Sequence, residues 1–277
     1  MSRFKDAIYG AIISDTISVF SSNPSFEKCY HSFIAYMLAT FNSLSKDFSD
    51  EKLLGELKMV YYKNRYISGY TNINPILKHY LSMPYNKQNE ENNKALSADI
   101  IVRMLPYLFS TLGNRQTKKG KITMSSVYLT HPNYNSYIAT MFFLDYASKL
   151  LKRENKIIAY FEICNEYKDL IKDDRAYSLL TGKVHVINQA KLKKDNSVFG
   201  ALECTFWAFL RYDSLDEGLN AIKKLKCSNV VPSLFGFLNA LTYGLNKDIK
   251  DYVYNSEQIE SILDSFQTNI AKKLDKK

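Results

Sequence analysis

The sequence contains few of the residues that make turns or cross-links. Its 277 residues include only ten Gly and six Pro, too few for an all-β chain, which needs a turn every few residues. The four Cys include no C-x-x-C pair, so their spacing indicates neither a disulfide framework nor a redox motif. We therefore expect a helical protein in a reducing compartment, the cytoplasm.

Common catalytic and nucleotide-binding motifs are also missing. The sequence has no G-x-G-x-x-G, no G-x-x-x-x-G-K-[ST], no H-E-x-x-H and no G-x-S-x-G. Asp6 and Asp15 interrupt the apolar N-terminal stretch, which argues against a signal peptide. The uncharged window 229–246 contains Pro232 and several polar residues, so we interpret it as a buried helix and not as a membrane span.

The formal net charge is +9, which permits an anionic partner such as nucleic acid, a nucleotide or an acidic protein. The densest basic runs are 114–121 and 190–195, and neither contains an aromatic residue. Solvated loops explain such runs, and nucleic-acid binding is not expected. A basic all-α module that binds nucleic acid or protein stays open as an alternative.

What the sequence does contain is a large apolar fraction at helical spacing. Hydrophobic residues make up 46% of the chain, enough for a substantial core. The pattern predicts one all-α domain over residues 1–277, with polar loops near 84–95, 113–123 and 181–197. Pro106 should kink or divide one helix, and Ser214 with Glu217 forms a capping box. The predicted helices cover 26–44, 49–62, 95–113, 133–152, 156–171, 213–225 and 256–274.

Five segments match, in order, motifs that occur together in one known family. They are 6–18 with Gly10 and Asp15, 62–74 with Gly69 and Thr71, 97–109 with Arg103 and Pro106, 129–139 with Thr130 and His131, and the block 206–244. In this order they resemble the ADP-ribosylglycohydrolases, including dinitrogenase reductase activating glycohydrolase. The resemblance spans nearly the whole chain and implies a single all-α domain.

The resemblance also implies where a site would lie. Members of that family cleave the bond between ADP-ribose C1 and its acceptor at a binuclear magnesium site. Two segments supply most ligands, a Thr-Asp-Asp-Thr and an Asp-x-Asp-Thr. Here these segments correspond to Cys29–Ser32 and Cys227–Val230, which contain no carboxylate. Magnesium prefers hard oxygen ligands, chiefly carboxylates, so we expect no magnesium cofactor.

We therefore expect a degenerate member of the family, a pseudoenzyme. It would bind ADP-ribose, a related nucleotide or a protein partner without turnover. Binding to a membrane is not expected. Asp99 is expected to pair with Arg103, while Ile100 would narrow the cleft and Tyr30 could fill it. The candidate ligand-binding residues are Tyr30, His31, Gly69, Thr71, Asp99, Arg103, Thr130, His131, Ser228 and Asn229.

Two alternatives retain chemistry at the same place. Cys29, His31 and Cys227 are soft or borderline ligands, so a replacement zinc site is conceivable. An active ADP-ribosyl hydrolase with a non-standard site would instead need a general acid or base in the cleft. The candidates for that role are Glu27, His31, Asp99 and Glu203.

Overall fold

The structure is a computed structural model that describes residues 2–45, 49–69, 73–84, 91–245 and 252–274. Within these ranges it contains α-helices and short 3-10 turns and no β-strand. The 3-10 turns are Asp174–Ala176 and Gln189–Lys191. The α-helices are α1 (Ser2–Ser22), α2 (Ser32–Leu44), α3 (Asp50–Lys63), α4 (Pro75–Ser82), α5 (Asp99–Arg103), α6 (Leu105–Ser110), α7 (Gln116–Tyr128), α8 (Tyr134–Leu151), α9 (Lys156–Tyr167), α10 (Tyr177–Leu180), α11 (Val198–Arg211), α12 (Leu215–Leu225), α13 (Val231–Tyr243) and α14 (Ser256–Leu274).

Short polar side chains begin many of these helices. The hydroxyl of Ser214 accepts a hydrogen bond from the backbone N–H of Glu217, as the capping box predicts. Ser49 caps α3 in the same way, and Asn133 and Asn155 cap α8 and α9. Several helix starts are therefore specified by local side-chain caps that do not depend on tertiary contacts.

Three predicted boundaries are wrong. The helix expected from residue 26 begins only at Ser32, after Lys28 adopts a positive φ of 62°. The helix expected over 95–113 begins only at Asp99 and ends at Ser110. The division expected at Pro106 is confirmed, because α5 and α6 are separated at Met104 and Pro106 lies in the first turn of α6, where its missing N–H is tolerated.

The third error concerns the loop expected at 113–123, because α7 begins at Gln116. Lys119 is buried there, and its ammonium forms a 2.5 Å ion pair with Asp145 of α8. The sequence of α7 is basic and polar, and the helix is anchored by this ion pair to a residue more than twenty positions later in the chain. The periodicity of the segment itself could not predict that ion pair.

Helices α1 and α13 pack closely in the core, and two glycines permit their approach. A methyl group on Gly10 would lie 2.5 Å from the Cβ of Ala240 and closer still to the carbonyl oxygen of Gly236. On the α13 side, Gly236 and Ala240 are the small residues at this contact. Gly244 instead ends the helix with a φ of 84° and has open space around it.

One large apolar cluster runs through most of the described helices, from Phe4 of α1 to Phe266 of α14. These two rings stack at 5.4 Å between centroids. A smaller cluster joins α2, α3 and α4. None of the helices described is long and apolar enough to cross a membrane.

Candidate functional site

A cavity of about 450 Å³, called the cleft below, opens where the N-termini of α2, α4, α11 and α13 converge. Polar residues alternate with apolar ones along its walls. The lining residues are His31, Ser32, Phe33, Asn74, Pro75, Ile76, Leu77, Lys94, Leu96, Ser97, Ala98, Asp99, Asn196, Ser197, Ser228, Asn229 and Val230.

Two loops that are far apart in sequence are joined along one wall of the cleft. Ser97 and Ser197 form an isolated antiparallel β-bridge. The N–H of Ala98 donates to the carbonyl of Asn196 (3.1 Å), and the N–H of Val198 donates to the carbonyl of Leu96 (2.8 Å). The bridge fixes the start of α5 against the start of α11, so this wall is held by backbone hydrogen bonds.

A buried carboxylate orients the histidine at the start of α2. Asp15 of α1 is fully buried. One of its oxygens accepts a hydrogen bond from the backbone N–H of His31 (2.6 Å), and the other lies 2.8 Å from His31 Nδ1. Because the carboxylate acts as an acceptor, it favours the tautomer with the proton on Nδ1. The imidazole also stacks on Phe33 at 5.1 Å.

The acidic residue in the cleft lining is Asp99. Its Oδ1 accepts from Asn74 Nδ2 (3.1 Å) and from the hydroxyl of Ser97, and it lies 3.4 Å from His131 Nε2. Burial disfavours the charged form, but the imidazole of His131 and the hydrogen bond from Ser97 prevail and hold the pKa of Asp99 below its ordinary value. Asp99 is therefore an anchored carboxylate.

Behind Asp99 lies a buried polar group that does not reach the cleft lining. Arg103 Nη2 donates to the carbonyl of Ser126 (2.7 Å) and to the hydroxyl of Thr130 (2.9 Å). His131 Nδ1 lies 3.0 Å from that same hydroxyl. The expected Asp99–Arg103 ion pair is thus wrong, because His131 and Asn74 partner the carboxylate and Arg103 bonds to the end of α7. Burial lowers the pKa of Arg103 to about 10.

The structure brings four of the candidate residues into the cleft lining: His31, Asp99, Ser228 and Asn229. Arg103, Thr130 and His131 lie behind it. Thr71 falls outside the described residues.

Three other expectations about the lining are not met. The Tyr30 hydroxyl donates to the carbonyl of Tyr66 (2.8 Å), so the ring does not fill the cleft. Ile100 is wholly buried in the core and does not narrow it. Gly69, which has a φ of 96°, lies beside the thiol of Cys29 and is not part of the cleft lining.

The candidate list drawn from the sequence lacks six polar residues of the lining: Ser32, Asn74, Lys94, Ser97, Asn196 and Ser197. Asn74 precedes Pro75, and its side chain caps α4. Ser197 caps α11 by accepting from the N–H of Gly200. An Asn-Pro pair and a Ser before an apolar run both signal a helix start. Reading them as helix N-termini would have marked these positions, although not their convergence.

The helix N-termini give the cleft its electrostatic character. Each helix start carries unpaired N–H groups and a partial positive charge, and both favour anions. The starts of α2 and α13 have no side-chain cap, so their first-turn N–H groups receive no carboxylate or hydroxyl from their own N-cap residue. Lys94 adds a full positive charge at the lining.

A solved structure shares this architecture. It is described as an ADP-ribosylglycohydrolase-related protein complex, and it matches with a TM-score of 0.76 at 12% sequence identity, over 97% of this chain and 98% of that chain. The chain has the ADP-ribosylglycohydrolase-related fold. The predicted all-α fold and the predicted resemblance are thereby confirmed. At this identity the likeness establishes the fold alone. No family model and no curated protein sequence matches the chain.

The two segments that the sequence resemblance aligned with metal-binding motifs meet at the cleft. His31 and Ser32 line it from one side, and Ser228, Asn229 and Val230 line it from the other. They offer imidazole, hydroxyl and amide groups. The described lining has one carboxylate, which is already hydrogen-bonded, whereas magnesium is usually held through carboxylates. The described residues do not fit a binuclear magnesium site.

The zinc alternative finds no support in the geometry. The thiol of Cys29 donates to the carbonyl of Ser68 (2.8 Å), and His31 is engaged with Asp15. Cys227 is absent from the cleft lining and lines a different cavity. In the part of the chain that the structure describes, no three His, Cys, Asp or Glu side chains are placed to hold a metal ion. The expected convergence of Cys29, His31 and Cys227 is therefore wrong.

Proposed function

We propose that this protein is a pseudoenzyme with the ADP-ribosylglycohydrolase-related fold, whose cleft binds ADP-ribose or a closely related nucleotide without cleaving it. One observation carries the proposal. The segments that we align with the family's metal-binding motifs both line the cleft, and they present amide, hydroxyl and imidazole groups where carboxylates would be needed.

The size and lining of the cleft suit a nucleotide. Its volume of about 450 Å³ lies within the range of about 300–1,000 Å³ that is usual for small-molecule sites. Asn74, Asn196 and Asn229 place amides around it, and serine hydroxyls lie between them. Amides and hydroxyls both donate and accept hydrogen bonds, which matches the hydroxyls of ribose.

The helix N-termini suit the other half of the ligand. A pyrophosphate would find the partial positive charge of the α13 start together with Lys94. The start of α2 is less suited to an anion, because the buried carboxylate of Asp15 already accepts the N–H of His31 there. Asp99 also opposes an anion, but Asn74 and Ser97 hydrogen-bond to its carboxylate and His131 faces it. We therefore place the phosphates on the α13 side and ribose hydroxyls near Asp99.

Calorimetric titration with ADP-ribose tests this placement through two cleft variants. Asn196→Ala and Asn229→Ala each remove an exposed amide from the lining. If each amide donates one net hydrogen bond to the ligand, the loss is about 0.5–1.5 kcal/mol, or a Kd that is weaker by roughly twofold to thirteenfold.

Asn165→Ala is the matched control, because Asn165 is exposed on α9 and absent from the cleft lining. We expect its affinity to equal that of the wild type. Equal affinities for all four proteins would reject the cleft as the binding site. No binding by the wild type would reject the nucleotide as its ligand and leave a protein partner as the hypothesis to pursue.

One observation favours a second candidate, an active hydrolase with a non-standard site. The Asp15–His31 pair, with its 2.8 Å contact, places a carboxylate-oriented imidazole at the cleft. Such a pair can serve as a general base. Release of free ADP-ribose from an ADP-ribosylated peptide by the wild type, but not by the His31→Gln variant, would establish this candidate over the first.

A further inference from the structure

A second cavity, of about 270 Å³, adjoins the cleft at the start of α13. Ser228 and Asn229 line both cavities, and no other residue of the two described linings is shared. The remaining walls of the second cavity come from the last turns of α1, from α12 with the residues after it, and from the first turn of α13. It is therefore a separate place where a ligand could bind.

The lining of the second cavity carries two positive charges. Lys223 lies in the last turn of α12, and Lys226 follows that helix with a left-handed φ of 53°. Neither ammonium forms an ion pair within the part of the chain that the structure describes, and the described lining contains no Asp or Glu. Two like charges beside one small cavity repel each other, and a bound anion would relieve that repulsion.

The helix ends around the cavity do not cancel this charge. The C-terminal ends of α1 and α12 each contribute about half a negative charge, and the start of α13 contributes about half a positive charge. Together these partial charges leave about half a negative charge. Because the two ammonium groups carry more than that, the second cavity is net positive.

A buried hydroxyl in the lining has no partner. Ser228 is 5% exposed, and its carbonyl accepts the N–H of Val231 (3.1 Å), but its hydroxyl forms no hydrogen bond among the described residues. Buried hydroxyls are usually paired. Ser18 and Ser21 bring further hydroxyls from α1. Hydroxyl and ammonium groups are the donors that phosphate oxygens accept from.

The cavity also has an apolar floor. Leu219, Ile222 and Pro232 line it and are buried. Its volume of about 270 Å³ lies just below the range of about 300–1,000 Å³ that is usual for small-molecule sites. A small ligand with an apolar part beside an anionic group fits this lining.

We propose that the second cavity binds a small phosphate monoester. Such an ester carries nearly two negative charges at neutral pH, which matches the two ammonium groups, whereas a carboxylate carries one. The phosphate pairs with Lys223 and Lys226 and accepts a hydrogen bond from Ser228. The organic group lies against the apolar side chains of α12 and α13. This site does not depend on what the cleft binds.

The test titrates the full-length protein calorimetrically with phenyl phosphate and with inorganic phosphate at constant ionic strength. We expect saturable binding, with a lower Kd for phenyl phosphate because its ring leaves water on the apolar floor. Lys223→Gln should raise the Kd of phenyl phosphate by about fivefold to tenfold, between the values for an exposed ion pair and for a charged hydrogen bond. Lys224→Gln is the matched control, because Lys224 is exposed on the same helix and absent from the lining.

Lys94→Gln separates the second cavity from the cleft, since Lys94 lines the cleft alone. We expect Lys94→Gln to weaken phenyl phosphate binding less than Lys223→Gln does, and the reverse order would place the phosphate in the cleft and overturn the proposal. Equal weakening by Lys223→Gln and Lys224→Gln would show attraction to general surface charge and would also overturn it. So would equal Kd values for phenyl phosphate and inorganic phosphate, or no saturable binding of either.

Discussion

The same substitution, Gly to Ala, should have opposite effects at two helical positions of this protein. Gly10 lies in α1 where that helix meets α13, and an added methyl group would strike the Gly236 carbonyl oxygen and approach Ala240 Cβ at 2.5 Å. Gly55 lies on the exposed side of α3, and a methyl group there would meet nothing within 4 Å. Both residues lie within helices, so the gain in helix propensity from Gly to Ala is the same at the two positions.

The magnitudes follow from two terms. Replacing Gly by Ala inside a helix gains about 1 kcal/mol. For Gly55→Ala this is the whole effect, so we expect a gain of about 0.5–1 kcal/mol in the free energy of unfolding. For Gly10→Ala the obstacle is backbone of a packed helix, which cannot rotate aside. We expect an overpacking cost of about 2–4 kcal/mol, at or above the usual range, and a net loss of about 1–3 kcal/mol.

Thermal unfolding followed by far-UV circular dichroism measures both effects. For a domain approaching this size, 1 kcal/mol shifts Tm by roughly 2–4 °C. Gly10→Ala should therefore lower Tm by roughly 2–12 °C, and Gly55→Ala should raise it by roughly 1–4 °C. A Gly10→Ala protein as stable as the wild type would refute the close approach of α1 and α13. A destabilised Gly55→Ala protein would refute the open surroundings of Gly55.

Two further predictions concern Asp99 and the buried polar group behind it. Thr130→Val keeps the side-chain shape but removes the acceptor of the 2.9 Å hydrogen bond from Arg103. Urea denaturation should therefore show a free energy of unfolding that is lower by about 1–3 kcal/mol. The control variant Thr268→Val changes an exposed threonine and should alter that free energy by less than about 0.5 kcal/mol. Because the pKa of Asp99 is lowered in the folded state, its charge stabilises the protein above the ordinary carboxyl pKa, and this contribution is lost as pH falls through the lowered value. Chemical denaturation at a series of pH values should show a smaller acid loss of stability for Asp99→Asn than for the wild type, and equal slopes would contradict the role assigned to His131.

The sequence predicted the helical class and most long helices because their signals are local. Ser49 and Ser214 cap helices within three residues of themselves, and the apolar stripe of α14 is periodic within one segment. The missed helix α7 shows the limit of such signals. Its inward face includes Lys119, whose burial depends on Asp145 in another helix.

The same limit applies to the cleft. His31, Asp99, Ser228 and Asn229 were predicted because they fall on motifs whose order resembles a known family, and all four line the cleft. Their hydrogen-bond partners were not predictable in this way. Asp99 lies next to His131, while Arg103 bonds to Thr130. This pairing depends on the chain after α7 passing close to the start of α5, and no sequence motif predicts that contact.

Under the proposed function, the cleft binds a nucleotide and supports no magnesium-dependent cleavage of it. The most direct test is a calorimetric titration of the purified protein with ADP-ribose, with and without magnesium. Parallel incubation with an ADP-ribosylated peptide would be followed by mass spectrometry of the recovered peptide. We predict saturable binding with the same Kd in both titrations and a peptide recovered intact. Binding that requires magnesium, or release of ADP-ribose only when magnesium is present, would contradict the account.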